Sequence, residues 1–213
     1  MKEVALTTMQ MAREEREEFA ALLAGLSPQQ WDQTTLCDRW RVRDVVAHVI
    51  SYDELDRLGL IRRFAKGWLV LDRINAIGVT DYATRLPEEL CELMRNNTEP
   101  HGLSAGFGGM IALVDGMIHQ QDIRRPLTIP RTIPPQRLGA VLDFARYAPL
   151  IRGAWRARGL RLVATDLDWS HGKGPEVRGS GEALLMAMAG RRDALDDDLT
   201  GPGQPKLAQQ IRG

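Results

Sequence analysis

Val114-Asp115-Gly116-Met117-Ile118-His119-Gln120-Gln121-Asp122-Ile123-Arg124-Arg125-Pro126 is the stretch on which the fold reading turns. Successive residues of an α-helix rotate by about 100°, so Asp115 and His119 stand one above the other, roughly 40° apart. Asp122 falls within about 20° of Asp115 on the same helix. Leu113, Val114, Met117 and Ile118 occupy the remaining faces, which makes the helix mostly inward-looking. A carboxylate and an imidazole on such a helix need partners, because buried polar groups are costly unless satisfied. A divalent metal is one partner; a structural hydrogen-bond pair is the other.

Working outward, 213 residues allow one large domain or two small ones. Lys plus Arg equals Asp plus Glu at 28 each, so net charge gives no support to a nucleic-acid or anionic-membrane partner. Cys37 and Cys91 form no CxxC pair and no disulfide framework, which fits reduced thiols in the cytoplasm. Met1-Lys2-Glu3-Val4 opens no signal-like apolar run, and no stretch reaches membrane-spanning length.

Apolar spacing predicts a first helix over 6–26, with Arg13 to Glu18 as a solvated charged face. Ser27-Pro28 reads as an N-cap with proline at the first helical position. A second long helix begins at Trp40 and runs to about 63, carrying Val42, Val45, Val49 and Tyr52 on one stripe with His48 beside them. A third starts near Pro87. The glycine-rich 102–109 segment lacks the strand and helix that a phosphate cradle requires. After the helix around Asp115, which Arg125-Pro126 ends, 130–135 is a proline-punctuated linker and 136–152 a fifth helix. Beyond Gly159 the texture changes: a strand over 160–166, a turn over 169–174, a returning strand at 176–179, a short helix over 182–189 and a loose tail over 201–213. The expected fold is mainly α, a helical bundle over 1–152 followed by a small α/β module over 153–213.

Two of the four histidines, His48 and His119, lie inside amphipathic helices, where bundle proteins build metal sites from facing side chains. His48, Asp115 and His119 would make a three-ligand set for Zn²⁺, Ni²⁺, Fe²⁺ or Mn²⁺ that leaves coordination positions open. A lone helix histidine is more often a satisfied core residue, and residue types alone leave both readings standing. Asp44, four residues before His48, is either a further ligand or, the more ordinary reading, an acid in a helix's first turn favoured by the dipole alone. Asp122 is either an acceptor behind His119 or a partner for Arg125. Cys37 precedes a helix start, where a thiolate can be stabilised, but a plain buried thiol is the more ordinary reading. Ser170-His171 reads as a turn rather than a triad, and the five tryptophans as packing anchors.

Trp31, then Thr34-Thr35-Leu36-Cys37-Asp38-Arg39-Trp40-Arg41-Val42-Arg43-Asp44-Val45-Val46-Ala47-His48, resembles the N-terminal signature of the mycothiol-dependent maleylpyruvate isomerase-like family, within the DinB-like metalloenzyme superfamily. The segment from Asp115 to Leu127 resembles that family's second metal helix, and Gly159 to Arg191 its C-terminal module. The resemblance implies a DinB-like antiparallel four-helix bundle with a divalent metal, usually zinc, held at the positions of His48, Asp115 and His119. Asp115 departs from the glutamate or histidine commoner there, and aspartate is one methylene shorter. Arg191 matches a module arginine that would assist catalysis. The resemblance further implies a low-molecular-weight thiol cosubstrate, mycothiol, and a small electrophilic substrate, with isomerisation, thiol transfer or hydrolysis as the chemistry; a homodimer is left open. A non-catalytic metal- or small-ligand-binding protein is the alternative, and the aspartate departure is the feature that favours it.

Overall fold

The structure, a computed structural model, describes residues 5–193 and 198–212; residues 1–4, on which the signal reading partly rests, lie outside them. Among the described residues the chain is mainly α-helical with one small sheet. It divides into two compact units, Met1–Ile129 and Pro130–Gly213. The sequence reading set its boundary after 152 instead.

The first unit contains α1 (Thr8–Ala24), α2 (Pro28–Trp31), α3 (Val42–Ile50), α4 (Arg57–Lys66), α5 (Leu71–Asp81), α6 (Pro87–Asn96) and α7 (Met110–Arg124). Helices α1, α7, α3 and α6 close a ring in which each packs against two others, and this is the four-helix bundle. Phe19 and Leu23 of α1, Val42, Val45, Val46, Val49 and Ile50 of α3, Leu90 and Met94 of α6, and Ile123 of α7 meet in one apolar cluster with Trp31. Ser27 caps α2 with Pro28 at its first position, and the Ser27 hydroxyl accepts from the Gln30 amide at 3.3 Å. At the start of α7, Gly109 has φ 92°, and a Cβ there would come within 3.2 Å of the Met9 backbone, so glycine lets α7 begin against α1.

Several expectations are revised. The predicted second helix stops at Ile50, because Ser51 and Asp53 turn the chain and Asp56 caps a separate α4 by accepting from the Gly59 amide at 2.6 Å. Helix α5 escaped the sequence reading: it buries only Ile74 and Gly78, too faint a stripe to register. The charged run on α1 is not wholly solvated. Glu15 and Arg16 are buried, Gln120 donates to the Glu15 carboxylate at 2.6 Å, and Arg16 pairs with the buried Asp53 while its Nε donates to the Asn97 carbonyl at 2.7 Å. Nor are all tryptophans anchors, since Trp68 is 79% exposed.

The second unit contains α8 (Pro135–Ala145), α9 (Gly153–Arg156), β1 (Arg161–Ala164), β2 (Ser170–Gly172), β3 (Glu176–Gly179), α10 (Gly181–Met188), β4 (Leu199–Thr200) and α11 (Gln204–Arg212). The sheet order is β2-β1-β3-β4. The segment read as a turn supplies β2, antiparallel to β1; the strand read as returning, β3, runs parallel to β1, with Leu162 opposite Val177. Helix α8 ends before the expected 152, since a residue preceding Pro149 disfavours helical geometry. It groups with the sheet because α10 packs between them, with Gly181 admitting Leu138 and Leu142 of α8 where a Cβ would meet them at 2.9 and 3.2 Å. The tail expected to be loose forms α11, which buries Leu207, Gln210 and Ile211 at helical spacing. No helix among the described residues is long and apolar enough to cross a membrane.

Adjacent charges on α1 allow a direct test of burial. Breaking a buried ion pair from one side strands its partner and costs about 3–5 kcal/mol, whereas an exposed i,i+4 pair contributes about 0.3–0.5 kcal/mol. Arg16→Ala should therefore lower the unfolding free energy in denaturant titrations by about 3 kcal/mol or more. Arg13→Ala, which breaks the exposed pair with Glu17, should shift it by less than about 0.5 kcal/mol.

Candidate metal centre

Helix α3 sets His48 beside the apolar stripe that locks the helix into the core, leaving the ring 8% exposed. Over 112–123 of α7 every residue but Asp115 is buried, so Asp115 marks the open edge of the site. The His119 Nε2 lies 3.4 Å from the Asp115 Oδ1, and the His48 Nε2 lies 3.8 Å from the same oxygen. The three donor atoms all fall within 4.8 Å of one another. Two ligands about 2.1 Å from a tetrahedral ion are separated by about 3.4 Å, so these spacings fit one divalent cation between two imidazoles and a carboxylate. Aspartate, despite its shorter side chain, comes within range of both rings.

The two imidazoles are held differently. Nδ1 of His119 faces Asp122 Oδ2 at 2.9 Å, and since an ionised carboxylate only accepts, the proton is on Nδ1 and Nε2 is the nitrogen left for a ligand. His48 has no such holder: its buried Nδ1 makes no hydrogen bond. Its ring is fixed by packing instead, with Trp40, Tyr52 and His119 at centroid distances of 5.0, 5.6 and 4.9 Å. Burial pushes the Tyr52 phenol up to about 12, so its hydroxyl stays protonated and donates to Asn75 Oδ1 at 2.6 Å.

Electrostatics separate the rings further. Burial pushes the His48 imidazole below its usual value, and Asp115 recovers only part of that loss. Burial also opposes charge on His119, but Asp115, Asp122 and Cys37 outweigh it and hold this imidazole well above its usual value. Burial likewise opposes the Asp115 charge, yet the two imidazoles hold its carboxyl well below the usual carboxylate range.

A second potential ligand group, Cys37, His119 and Asp122, lies on the other side of the same ring. Cys37 Sγ is 3.0 Å from Asp122 Oδ2 and 3.8 Å from His119 Nδ1. A shared tetrahedral ion would hold sulfur and oxygen about 3.5 Å apart and nitrogen and oxygen about 3.4 Å apart. The observed 3.0 and 2.9 Å are shorter and are lengths of direct hydrogen bonds, so this group is a proton-linked chain.

Of the other residues singled out in the sequence, Asp44 accepts from the Arg41 amide at 2.9 Å and serves the helix start. His101 is exposed beside the Glu99 carbonyl, and His171 lies on β2 with the Arg146 guanidinium 2.6 Å from its Nδ1. Arg191, in the second unit, donates from Nη1 to the Ala189 carbonyl at 3.2 Å. The contact of Cys37 with Asp122 was not foreseen, nor was the packing of Trp40 and Tyr52 on His48. Only the proximity of Cys37 and Trp40 to the start of α3 hinted at either.

Fold and site together define a helical-bundle protein with an interior cluster of two imidazoles and one carboxylate. Residues 12–99 match the family described as the mycothiol maleylpyruvate isomerase N-terminal domain, a span that includes His48 and ends before α7. Two solved structures, the mycothiol-dependent maleylpyruvate isomerase and a histidine-to-alanine mutant of it, each align with a TM-score of 0.52 at 13% identity, covering 92% of this chain and 92% of theirs. No curated protein matches. Residues 12–99 are thus similar to the N-terminal domain of the mycothiol maleylpyruvate isomerase family, and over 92% of its length the chain has a fold similar to that of the isomerase.

The asymmetry between the rings is measurable without metal. In a nitrogen-detected NMR titration of metal-free protein, His119 should keep its second proton to higher pH than an ordinary histidine, and His48 should stay neutral to lower pH. Asp115→Asn should bring the His119 midpoint down. Because a proton on Nε2 competes with a ligand there, metal affinity should rise with pH through the His119 transition.

Proposed function

We propose that this protein is a divalent-metal-dependent enzyme that brings a low-molecular-weight thiol, mycothiol, to a small electrophilic substrate, as an isomerase or S-transferase. The convergence of His48, Asp115 and His119 in a chain whose residues 12–99 match this family's N-terminal domain is the observation that carries the reading. Zn²⁺ is the preferred ion for two imidazoles and a carboxylate, with Ni²⁺, Fe²⁺ and Mn²⁺ as competitors. When bound, it supplies Lewis acidity toward a thiol or water.

The chain's own residues do the rest. Burial keeps His48 neutral and ready to ligate, and Asp122 holds the His119 tautomer. Asp115 brings negative charge to the open edge, where its partial exposure leaves an approach for ligands. Trp40 and Tyr52 form an apolar wall that limits water around His48. Arg191 is the proposed further contributor to catalysis, on the family resemblance alone. The reach of Asp115 to both rings weakens the case for a non-catalytic binder, which rested on its short side chain.

Metal content of untagged protein, and thiol consumption against a panel of electrophiles with and without Zn²⁺, test the proposal. Metal-dependent turnover is expected; metal bound without turnover on any electrophile would favour the non-catalytic binder. A metal that binds only the folded state adds about 2.7 kcal/mol at a hundredfold excess over Kd. Chelator should accordingly lower the melting temperature of the wild type and barely move that of His119→Ala.

The carboxylate can be tested separately. Asp115→Asn keeps the shape and removes the charge, so metal affinity should fall at least tenfold, whereas Asp115→Glu should retain most of it. Asn matching wild type while Glu fails would remove Asp115 from the ligand set.

A further inference from the structure

The 34–41 loop between α2 and α3 touches the metal centre at both histidines. Trp40 packs on His48, and Cys37 reaches His119 through Asp122. The loop braces itself: the Thr35 hydroxyl donates to the Trp40 carbonyl at 2.9 Å, the Cys37 amide donates to Thr35 Oγ1 at 3.1 Å, and the Trp40 amide to the Cys37 carbonyl at 3.0 Å. Both backbone groups of Cys37 are thus committed, and its thiol is placed by the backbone rather than by chance packing. The loop also meets Asp122 twice. The Leu36 amide donates to the Asp122 carbonyl at 3.1 Å, and the Cys37 thiol donates to its carboxylate at 3.0 Å.

Asp122 is fully buried, and a buried carboxylate must be supplied with donors. Its Oδ2 accepts from the His119 Nδ1–H and from the Cys37 S–H. Two donors on one oxygen fix that oxygen, and the fixed oxygen fixes the plane of the His119 ring. We propose that Cys37 is a positioning residue for the metal centre: its thiol, with the Leu36 amide, holds Asp122 so that His119 presents Nε2 to the space shared with His48 and Asp115. This rests on the reading of those three residues as metal ligands. Loss of the thiol removes one of the two donors that fix Oδ2 and lets the His119 ring turn away from the other two ligands.

The test compares wild type with Cys37→Ala, Cys37→Ser and, as a thiol control elsewhere in the bundle, Cys91→Ala. In metal-free protein the His119 Nδ1–H resonance should be protected from exchange in wild type, Cys37→Ser and Cys91→Ala, and broadened or lost in Cys37→Ala. Partners that orient a metal-ligating histidine are worth roughly 10–100-fold in metal affinity. Cys37 acts through such a partner, so Cys37→Ala should weaken Zn²⁺ binding by a smaller factor, roughly three- to tenfold. Cys37→Ser, which keeps a hydroxyl donor, should restore most of it. An unchanged Nδ1–H signal in Cys37→Ala overturns the proposal whether or not metal binds. A thiolate-to-metal charge-transfer band on loading wild type with Co²⁺ also overturns it, because Cys37 would then be a ligand. Failure of wild type to bind Zn²⁺ overturns the metal reading, and with it the metal-directed half of this inference; the metal-free resonance decides whether Cys37 orients His119.

Discussion

The Asp122 carboxylate is the constraint around which the centre is organised. A charge at 0% exposure persists only where donors surround it, and each donor it recruits is thereby placed. Asp122 recruits an imidazole one helical turn back on α7 and a thiol from a loop 85 positions earlier. Its backbone carbonyl recruits the amide of Leu36. The cost of burying one charge is converted into a fixed geometry for two elements distant in sequence.

The result is a centre whose two imidazoles are stiffened by opposite means. His119 is aimed by hydrogen bonds and carries the electrostatic influence of two carboxylates. His48 is aimed by the shapes of its neighbours, and its outer nitrogen engages nothing. An apolar enclosure that keeps one ring neutral suits it to donate a lone pair, while the charge-rich side of the other supplies attraction for a cation. Neither ring alone would combine both properties.

The bundle was legible in the sequence because its helices bury broad stripes. The valines of α3 and the nearly continuous burial of α7 leave strong periodic patterns, and Ser27-Pro28 marks a helix start by local chemistry alone. Glu15 and Arg16 misled, because a charge run looks solvated until a partner such as Asp53, 37 residues from Arg16, is known to face it. Helix α11 was hidden behind Gly201 and Gly203, which lie before it rather than within it. The direction of β3 was unreadable, since alternation fixes a face but not whether a neighbour runs parallel. At the centre, spacing gave the shared face of Asp115 and His119. It could not show Cys37 beside Asp122, because that contact depends on how the 34–41 loop closes.

The α4–α5 hairpin stands outside the four-helix ring and is fastened to it through α3. Its anchoring is narrow: Ile74 and Gly78 are the buried positions of α5, and Arg63 joins the Ser51 hydroxyl at 2.9 Å. Its turn displays Trp68 and Leu69 almost fully to solvent. None of the three candidate ligands lies on it, while Asn75, which receives the Tyr52 hydroxyl, does. A change at Trp68 or Leu69 on the hairpin's turn meets none of those ligands, whereas a change at Asn75 reaches His48 through the Tyr52 ring.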